Sequence, residues 1–203
     1  MTSIPGHESL AEDTSRKVEP RLLPQEALIR SYLTIFGDLS PLAMQARLRT
    51  GSTALFDTWT DYLGALGVPN YEADTPRTGQ TNALMLAAFE RIGVALCDKA
   101  AAADLGKTAA PLAQRKVFRF EVPTAPMSEA EFGVRFDSLH RTFLSYPVAL
   151  APADRTPRFF ALYKDVLARH GAAPSSAFTA TPTQAAWAAV CYGLVRHPEF
   201  HLY

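Results

Sequence analysis

Residues 81–106 read TNALMLAAFERIGVALCDKAAAADLG and form the longest helix candidate in the chain. Alanine and leucine favour helix strongly, and they occupy so many positions here that several faces of the helix are expected to be buried. A helix that is apolar on most sides has to be enclosed by amphipathic neighbours. The stretch therefore predicts a central helix in a mainly helical protein.

The chain ahead of this helix contains three more helical patterns. From Pro24 to Gly37 apolar residues recur at three- and four-residue steps, and Gly37 sits where a C-terminal cap belongs. Two further patterns occur at residues 42–49 and 52–66, and a serine at or just ahead of the start of each is able to cap a helix. We therefore expect a helical bundle lobe over residues 21–110. Residues 1–20 are polar and aperiodic, and we expect a flexible N-terminal arm there.

The pattern changes after residue 111. Residues Val117–Val122 are rich in β-branched and aromatic side chains and are followed by Pro123, which predicts a strand. The stretch SYPVALAP, residues 145–152, predicts a second strand antiparallel to the first, because one isolated strand leaves its backbone groups unpaired. The sequence thus predicts a small antiparallel β-ribbon in this part of the chain.

Helices are expected around the ribbon. Ser128 and Glu131 form a capping box that opens one helix, Thr156 before Pro157 opens a second, and a third begins near Thr181 or Thr183. The predicted fold class is therefore mainly α with a small antiparallel β-ribbon, an α+β fold. Its N-terminal half is a helical bundle, and residues 111–203 form a helix-rich lobe that carries the strands.

The predicted strand is also the candidate binding site. A two-stranded ribbon leaves one edge with unpaired N–H and C=O groups, which an extended peptide can pair with or a loop of the same chain can cover. Charged residues on the strand either select a peptide or deter aggregation. The predicted peptide-binding residues are Arg115, Val117, Phe118, Arg119, Phe120, Glu121 and Val122.

The stretch HPEFH near the end of the chain raises a different question. In an extended segment His197, Glu199 and His201 project to one side and could share a zinc or iron ion. The alternative is a structural ending, in which Pro198 stops the last helix and aromatic residues anchor the terminus. We favour the structural ending and predict no metal site in this chain.

Composition excludes several classes of protein. The chain has 20 basic and 20 acidic residues among 203, so it lacks the positive charge of a nucleic-acid-binding protein. It contains neither a GxSxG nucleophile motif nor a glycine-rich phosphate loop. No segment is long enough to span a bilayer or resembles a secretory signal, so we expect a cytoplasmic protein.

The two cysteines leave two interpretations open. Cys97 and Cys191 each lie in an apolar helical pattern and not in a CxxC motif. Buried free thiols fit a reducing compartment, and we favour that interpretation. The alternative is a buried disulfide between them.

Three stretches resemble one known family. QTNALMLAAFERIGVALCD, FDSLHRTFLSYPVALA and AAWAAVCYGLVRHPEFHLY, at residues 80–98, 136–151 and 185–203, are similar to the MbnC family of methanobactin-biosynthesis partner proteins. The resemblance runs from about residue 25 to the end of the chain. These stretches are not catalytic signatures, so no catalytic residue is carried over.

The resemblance implies a partner subunit. Members of that family pair with a TIM-barrel multi-iron oxidase, and the two-protein complex uses dioxygen to convert cysteines of a ribosomally made precursor peptide into oxazolone and thioamide groups. The product is a copper chelator. The partner subunit holds the leader segment of the precursor, while the iron belongs to the oxidase, so this chain is expected to need no cofactor. Two other hypotheses are a small metalloenzyme that uses the HPEFH triplet and a helical scaffold protein.

Overall fold

The structure is a computed structural model that describes residues 23–37, 63–70, 72, 83–105, 111–123, 126–172 and 181–201. These residues are mostly helical, as the sequence predicts. The helices are α1 (Gln25–Phe36), α2 (Ala83–Leu105), α3 (Glu129–Leu144), α4 (Arg155–Ala172), α5 (Pro182–Val195) and the single turn α6 (Pro198–His201). Two 3-10 turns, Leu112–Gln114 and Val148–Leu150, lie between them.

The two helices of the first half are confirmed where the structure describes them. α1 ends at Gly37, which has the positive φ of 64° that a residue without a side chain adopts easily. α2 covers the predicted long helix, but its buried residues recur at steps of three and four, and Leu84, Leu86 and Val94 are exposed, so burial on several faces is not confirmed. Residues 63–65 are helical, whereas the predicted helix at 42–49 and the predicted arm at 1–20 lie outside the described residues.

Capping residues fix where the later helices start. α3 begins with the predicted capping box, in which the side chain of Ser128 accepts from the amide of Glu131 and the Glu131 carboxylate accepts from the amide of Ser128. α5 begins with the same arrangement between Thr181 and Gln184. α4 starts at Arg155, so the predicted cap Thr156 is its second residue. The side chains within the caps satisfy amides that a helix cannot pair by itself.

The predicted β-ribbon is wrong, since no strand is present in the part of the chain that the structure describes. Residues 116–122 are irregular, with bends at residues 116, 117 and 120. The amides of Val117 and Phe118 both donate to Oδ2 of Asp104, each over 2.9 Å. Both side chains are buried, so the alternation of a strand with one solvated face is missing as well. A helix carboxylate thus satisfies the amides that the ribbon would have paired.

The second predicted strand, residues 145–152, is also wrong. Its central residues form the 3-10 turn Val148–Leu150, and the amide of Val148 donates to Oδ1 of Asp137 on α3 over 2.7 Å. Ser145 caps α3 with a φ of 65°, which turns the chain back along that helix. The backbone is again satisfied by an acidic side chain of a helix.

α5 lies at the centre of the packing. It contacts α4 and α2 more extensively than any other helices of the described chain contact each other. Where Gly93 of α2 faces α5, an added Cβ would lie 2.9 Å from Val195. Gly193 of α5 faces α4 in the same way, and a Cβ added there would lie 2.8 Å from the ring of Phe159. Glycine is therefore needed at both positions for the helices to approach this closely.

Cys97 of α2 and Cys191 of α5 form a disulfide, with Cα atoms 5.7 Å apart. The interpretation of two free thiols is therefore wrong, and the alternative of a buried disulfide is confirmed. The pairs 97–191 and 93–195 show that α2 and α5 run antiparallel. Helical patterns alone gave no indication that the two cysteines face each other.

The core draws on both predicted lobes. Buried residues from α1, α2, α3, α4 and α5 belong to one cluster, which therefore joins residues 21–110 to residues 111–203. The division into two lobes stays a prediction. Among the helices that the structure describes, none combines the length and the apolar character needed to cross a membrane.

Candidate functional site

The predicted binding segment, residues 115–122, forms an irregular strip that packs against the helices. It follows the 3-10 turn Leu112–Gln114. Asp104, in the last turn of α2, is almost completely buried and accepts from three successive amides, those of Lys116, Val117 and Phe118. This carboxylate fixes the first half of the strip to the helical core.

Two arginines fix the second half. The guanidinium of Arg115, whose side chain is only 9% exposed, donates to the carbonyl of Phe120 and forms an ion pair of 3.2 Å with Glu121. Arg135 of α3 donates from Nε to the carbonyl of Glu121 over 2.7 Å. The strip is therefore held by side chains at both ends, although it belongs to no helix or sheet.

The side chains of the strip point in different directions. Val117 and Phe118 are buried in the core. Phe120 is half-buried and packs on Trp187 of α5, with 4.7 Å between the ring centroids. Arg119 and Glu121 are exposed. The outer side of the strip thus presents one cation and one anion on either side of an aromatic ring.

Two residues that position the strip, Asp104 and Arg135, were not predicted from the sequence. Asp104 carried a signal, because an acidic residue in the last turn of a helix is disfavoured by the helix dipole and needs donors nearby. The amides of the following segment supply these donors. Arg135 carried no comparable signal, because exposed arginines on helices are common.

A second polar cluster joins α4 to the end of the chain. The guanidinium of Arg155 donates to both carboxylate oxygens of Glu199, with Nη2 2.8 Å from Oε1 and Nη1 3.1 Å from Oε2. Its Nη1 also lies 2.7 Å from the hydroxyl of Tyr146, which donates in turn to Glu199. Arg155 is 7% exposed, so this cluster satisfies a nearly buried charge.

His140 completes the cluster with one defined tautomer. Its Nδ1 lies 2.8 Å from the carbonyl of Tyr146, and its Nε2 lies 3.1 Å from Nη1 of Arg155. A carbonyl only accepts and a guanidinium only donates. These partners fit a fully buried imidazole that donates from Nδ1 and accepts at Nε2.

The cluster shifts the acid–base behaviour of its members. The hydrogen bond from Arg155 is the main cause that lowers the pKa of Glu199 to about 2. Burial lowers the pKa of His197, and the positive charge of Arg155 lowers it further. Burial likewise lowers the pKa of His201. The C-terminal turn therefore carries a charged glutamate next to histidines that resist protonation.

The HPEFH triplet does not form the extended arrangement that a shared ion requires. Residues 198–201 form the helical turn α6, Glu199 is bound to Arg155, and Nε2 of His201 donates to the carbonyl of Val195 over 2.7 Å. Nδ1 of His197 accepts from the amide of Glu199. Across the described ranges, no group of three or more His, Cys, Asp or Glu residues could hold a metal ion.

Arg155 was missed by sequence reasoning, although it too carried a signal. A cation at the first residue of a helix is disfavoured by the helix dipole and requires an anion from elsewhere in the chain. Glu199, 44 residues later, supplies that anion. Pattern analysis of the local sequence does not reach a partner at this separation.

Comparisons with family models, curated proteins and solved structures find no match to this chain. The proposed function therefore rests on the geometry of the strip and on the resemblance of the three quoted stretches.

Proposed function

We propose that this chain is a non-catalytic partner subunit that binds the leader of a ribosomally made precursor peptide. It acts with a TIM-barrel multi-iron oxidase, and the complex converts cysteines of the precursor into the oxazolone and thioamide groups of a methanobactin-type copper chelator. The iron belongs to the oxidase, and this chain contributes binding and orientation of the peptide. The three stretches at residues 80–98, 136–151 and 185–203 are the basis in sequence for this assignment.

The observation that carries the proposal is the strip at residues 115–122. An irregular surface segment normally loses conformational freedom when a ligand binds it, and this loss weakens binding. Here Asp104, Arg115 and Arg135 already hold the backbone of the strip in one conformation. A surface that is ordered before binding is well suited to hold an otherwise disordered leader peptide.

The contacts of the strip favour recognition through side chains. The amides of Val117 and Phe118 are engaged by Asp104, so a peptide cannot pair with them as a neighbouring strand would. Arg119 and Glu121 face outward on either side of the half-buried Phe120. A leader with opposite charges around an apolar residue complements this order of side chains. Val122 is half-buried and extends the apolar surface.

The proposal places the complex in the cytoplasm, where ribosomal peptides are made. The Cys97–Cys191 disulfide is unusual for a cytoplasmic protein, because cytoplasmic thiols normally keep cysteines reduced. Both side chains are buried, which limits the access of reducing thiols to the bond. A cytoplasmic protein is thus compatible with the disulfide if the folded chain shields it.

Charge reversal on the strip tests the binding site. Arg119→Glu and Glu121→Lys reverse exposed charges of the strip, and each is expected to weaken binding of the leader at least tenfold. Glu121→Lys also removes the ion pair with Arg115, so circular dichroism checks that this variant is folded. Arg158→Glu on α4 is the matched control for Arg119→Glu, because it makes the same charge change at an exposed position whose only described ion pair is with Asp154. Fluorescence anisotropy with a labelled synthetic leader measures the three dissociation constants.

The proposal predicts that a short Cys-containing peptide and a barrel oxidase are encoded next to the gene of the chain, and this experiment uses the leader of that peptide. Equal affinity for the wild type and both strip variants, with all of them folded, would reject the strip as the contact. A separate assay tests the subunit role. The purified chain alone should leave the precursor unmodified, whereas the chain with the neighbouring barrel oxidase should convert it, as seen by mass spectrometry.

A further inference from the structure

The disulfide joins the two helices that the strip contacts, α2 through Asp104 and α5 through Trp187. Cys97 and Cys191 are 1% and 0% exposed, and they join α2 to α5 across 94 residues of sequence. A thiolate can reduce a disulfide only if it reaches one of the sulfur atoms. In the folded chain neither sulfur is accessible, so the state of the pair is set when the chain folds or when it transiently opens.

α5 connects the disulfide to the strip. Trp187 lies one helical turn before Cys191 and is completely buried. Its ring contacts Phe120 at 4.7 Å and Phe118 at 6.4 Å between centroids. The position of α5 therefore determines the surface on which the two aromatic residues of the strip pack.

The surroundings of the disulfide leave little room for adjustment. Gly93 lies one turn from Cys97. A methyl group added to Gly93 would lie 2.9 Å from the side chain of Val195, so that side chain would have to move. Two sulfur atoms that are not bonded cannot lie as close together as two that are. Separating them in this tightly packed interface has to move α5 relative to α2, because the interior does not compress.

We propose that the Cys97–Cys191 bond is a redox-dependent lock on the order of the strip at residues 115–122. When the bond is present, α5 is held against α2 and Trp187 supports Phe118 and Phe120. When it is reduced, α5 shifts and the strip loses this support. Reduction takes two electrons and two protons from a dithiol, which becomes a disulfide while the chain gains two thiols. The lock concerns the strip itself and holds whatever ligand the strip binds.

Hydrogen exchange measures the predicted coupling. The amides of Val117 and Phe118 should exchange at least tenfold faster in the wild type refolded with dithiothreitol, which carries two unbonded thiols, than in the oxidised wild type. Amides within α3, such as that of Phe136, should change less, so that the loss is local. Equal protection of the strip in both proteins would overturn the lock.

A core variant separates this coupling from a general loss of stability. Leu28→Ala removes a buried side chain of α1 and should lower the protection of the strip and of α3 by similar factors. If the reduced wild type gives the same uniform pattern as Leu28→Ala, the coupling is rejected. If the reduced wild type does not refold, Cys191→Ser replaces it, because this variant places an unbonded hydroxyl against the thiol of Cys97, and the same two patterns decide.

Access to the bond is tested on the wild type. Incubation with dithiothreitol and a maleimide, followed by mass spectrometry, should leave both cysteines unmodified in buffer and modify both in strong denaturant. If both cysteines are labelled as fast in buffer as in denaturant, the disulfide is not shielded by the fold. A chain that is already reduced after oxidative purification would overturn the lock as a whole.

Discussion

Asp104 shows how one residue decides the conformation of a segment that lies far from it in sequence. Its carboxylate is 3% exposed and accepts from the amides of residues 116, 117 and 118. Three donors compensate the cost of burying the charge in a helix end whose dipole opposes it. The same hydrogen bonds remove the amides that a β-ribbon would have required.

Replacing Asp104 with alanine should destabilise the chain by about 2 kcal/mol, because the buried amides of Val117 and Phe118 lose their acceptor. Asp104→Asn keeps one acceptor oxygen and should cost less. Urea denaturation followed by circular dichroism measures both differences. Asp165→Ala is the control, since that carboxylate belongs to an exposed ion pair with Arg169 and should cost less than about 1 kcal/mol. Equal effects of Asp104→Ala and Asp165→Ala would contradict the anchoring role.

Glu199 gives the stability a predictable dependence on pH. Its pKa is lowered from 4.5 to about 2, so between these values the unfolded chain binds a proton that the folded chain does not. The contribution of the Arg155–Glu199 pair is therefore complete above the unfolded pKa and is lost as the pH falls toward the folded pKa. The exposed fraction of Glu199 is 41%, so solvent screens part of this contribution.

The variant Glu199→Gln should reveal this dependence. Its melting temperature should lie roughly 2–4 °C below that of the wild type at neutral pH, and the difference should shrink toward zero as the pH falls from about 4.5 toward 2. Thermal melts in a series of buffers measure the two curves. Two curves that stay parallel throughout the acid range would show that the pair does not contribute through its charge.

At the scale of the helices, two glycines on different interfaces should respond oppositely to alanine. In Gly193→Ala the new Cβ would lie 2.8 Å from the ring of Phe159, so we expect a loss of about 1–3 kcal/mol despite the higher helix propensity of alanine. In Gly133→Ala it would lie 3.6 Å from Thr156, an ordinary contact, and we expect a gain of about 0.5–1 kcal/mol.

Urea denaturation of both glycine variants tests this difference under identical conditions. A gain in stability for both Gly193→Ala and Gly133→Ala would mean that helix propensity, and not the close approach of α4 and α5, decides the outcome, and a loss for both would contradict the expected gain at Gly133. A third variant, Gly93→Ala, should behave like Gly193→Ala, because its Cβ would lie 2.9 Å from Val195.

The helices could largely be predicted from the sequence, because their signals are local. The spacing in α1, the composition of α2 and the capping box at Ser128 each lie within a few residues of the structure that they predict. The strands at 117–122 and 145–152 were predicted from residue types that fit a strand. They failed because Asp104 and Asp137, from helices elsewhere in the chain, satisfy the backbone instead.

The candidate sites were predictable only in part. The composition of residues 115–122 drew attention to the strip, but which side chains face outward depends on the packing of Phe118 and Phe120 on Trp187. Likewise, the pairing of Arg155 with Glu199 depends on how α4 and α6 meet. Sequence spacing carries no information on either contact.

At the scale of the whole molecule, the C-terminal turn ties together distant parts of the chain. The carbonyl of His201 accepts from the amide of Leu23 over 2.8 Å, ahead of α1. Phe200 is buried against Tyr32 of α1 and Phe143 of α3. With Glu199 on Arg155 of α4, the turn therefore contacts α1, α3 and α4 as well as the segment ahead of α1.

Ending the chain after His197 should destabilise it by more than about 3 kcal/mol. The change removes the buried ring of Phe200 and leaves the nearly buried Arg155 without its carboxylate. Chemical denaturation measures the loss. The control ends the chain after His201 and keeps the whole turn, so it should retain most of the stability. Comparable stability of the two shortened chains would show that the turn contributes little.

The disulfide between α2 and α5 also determines how the molecule would respond to mechanical load. A force applied at residues 23 and 201 cannot stretch the segment between Cys97 and Cys191, because the covalent bond carries the tension past it. The 94-residue separation withholds roughly 300 Å of contour length at full extension. In a single-molecule pulling trace, the oxidised and reduced chains would therefore differ by one long step.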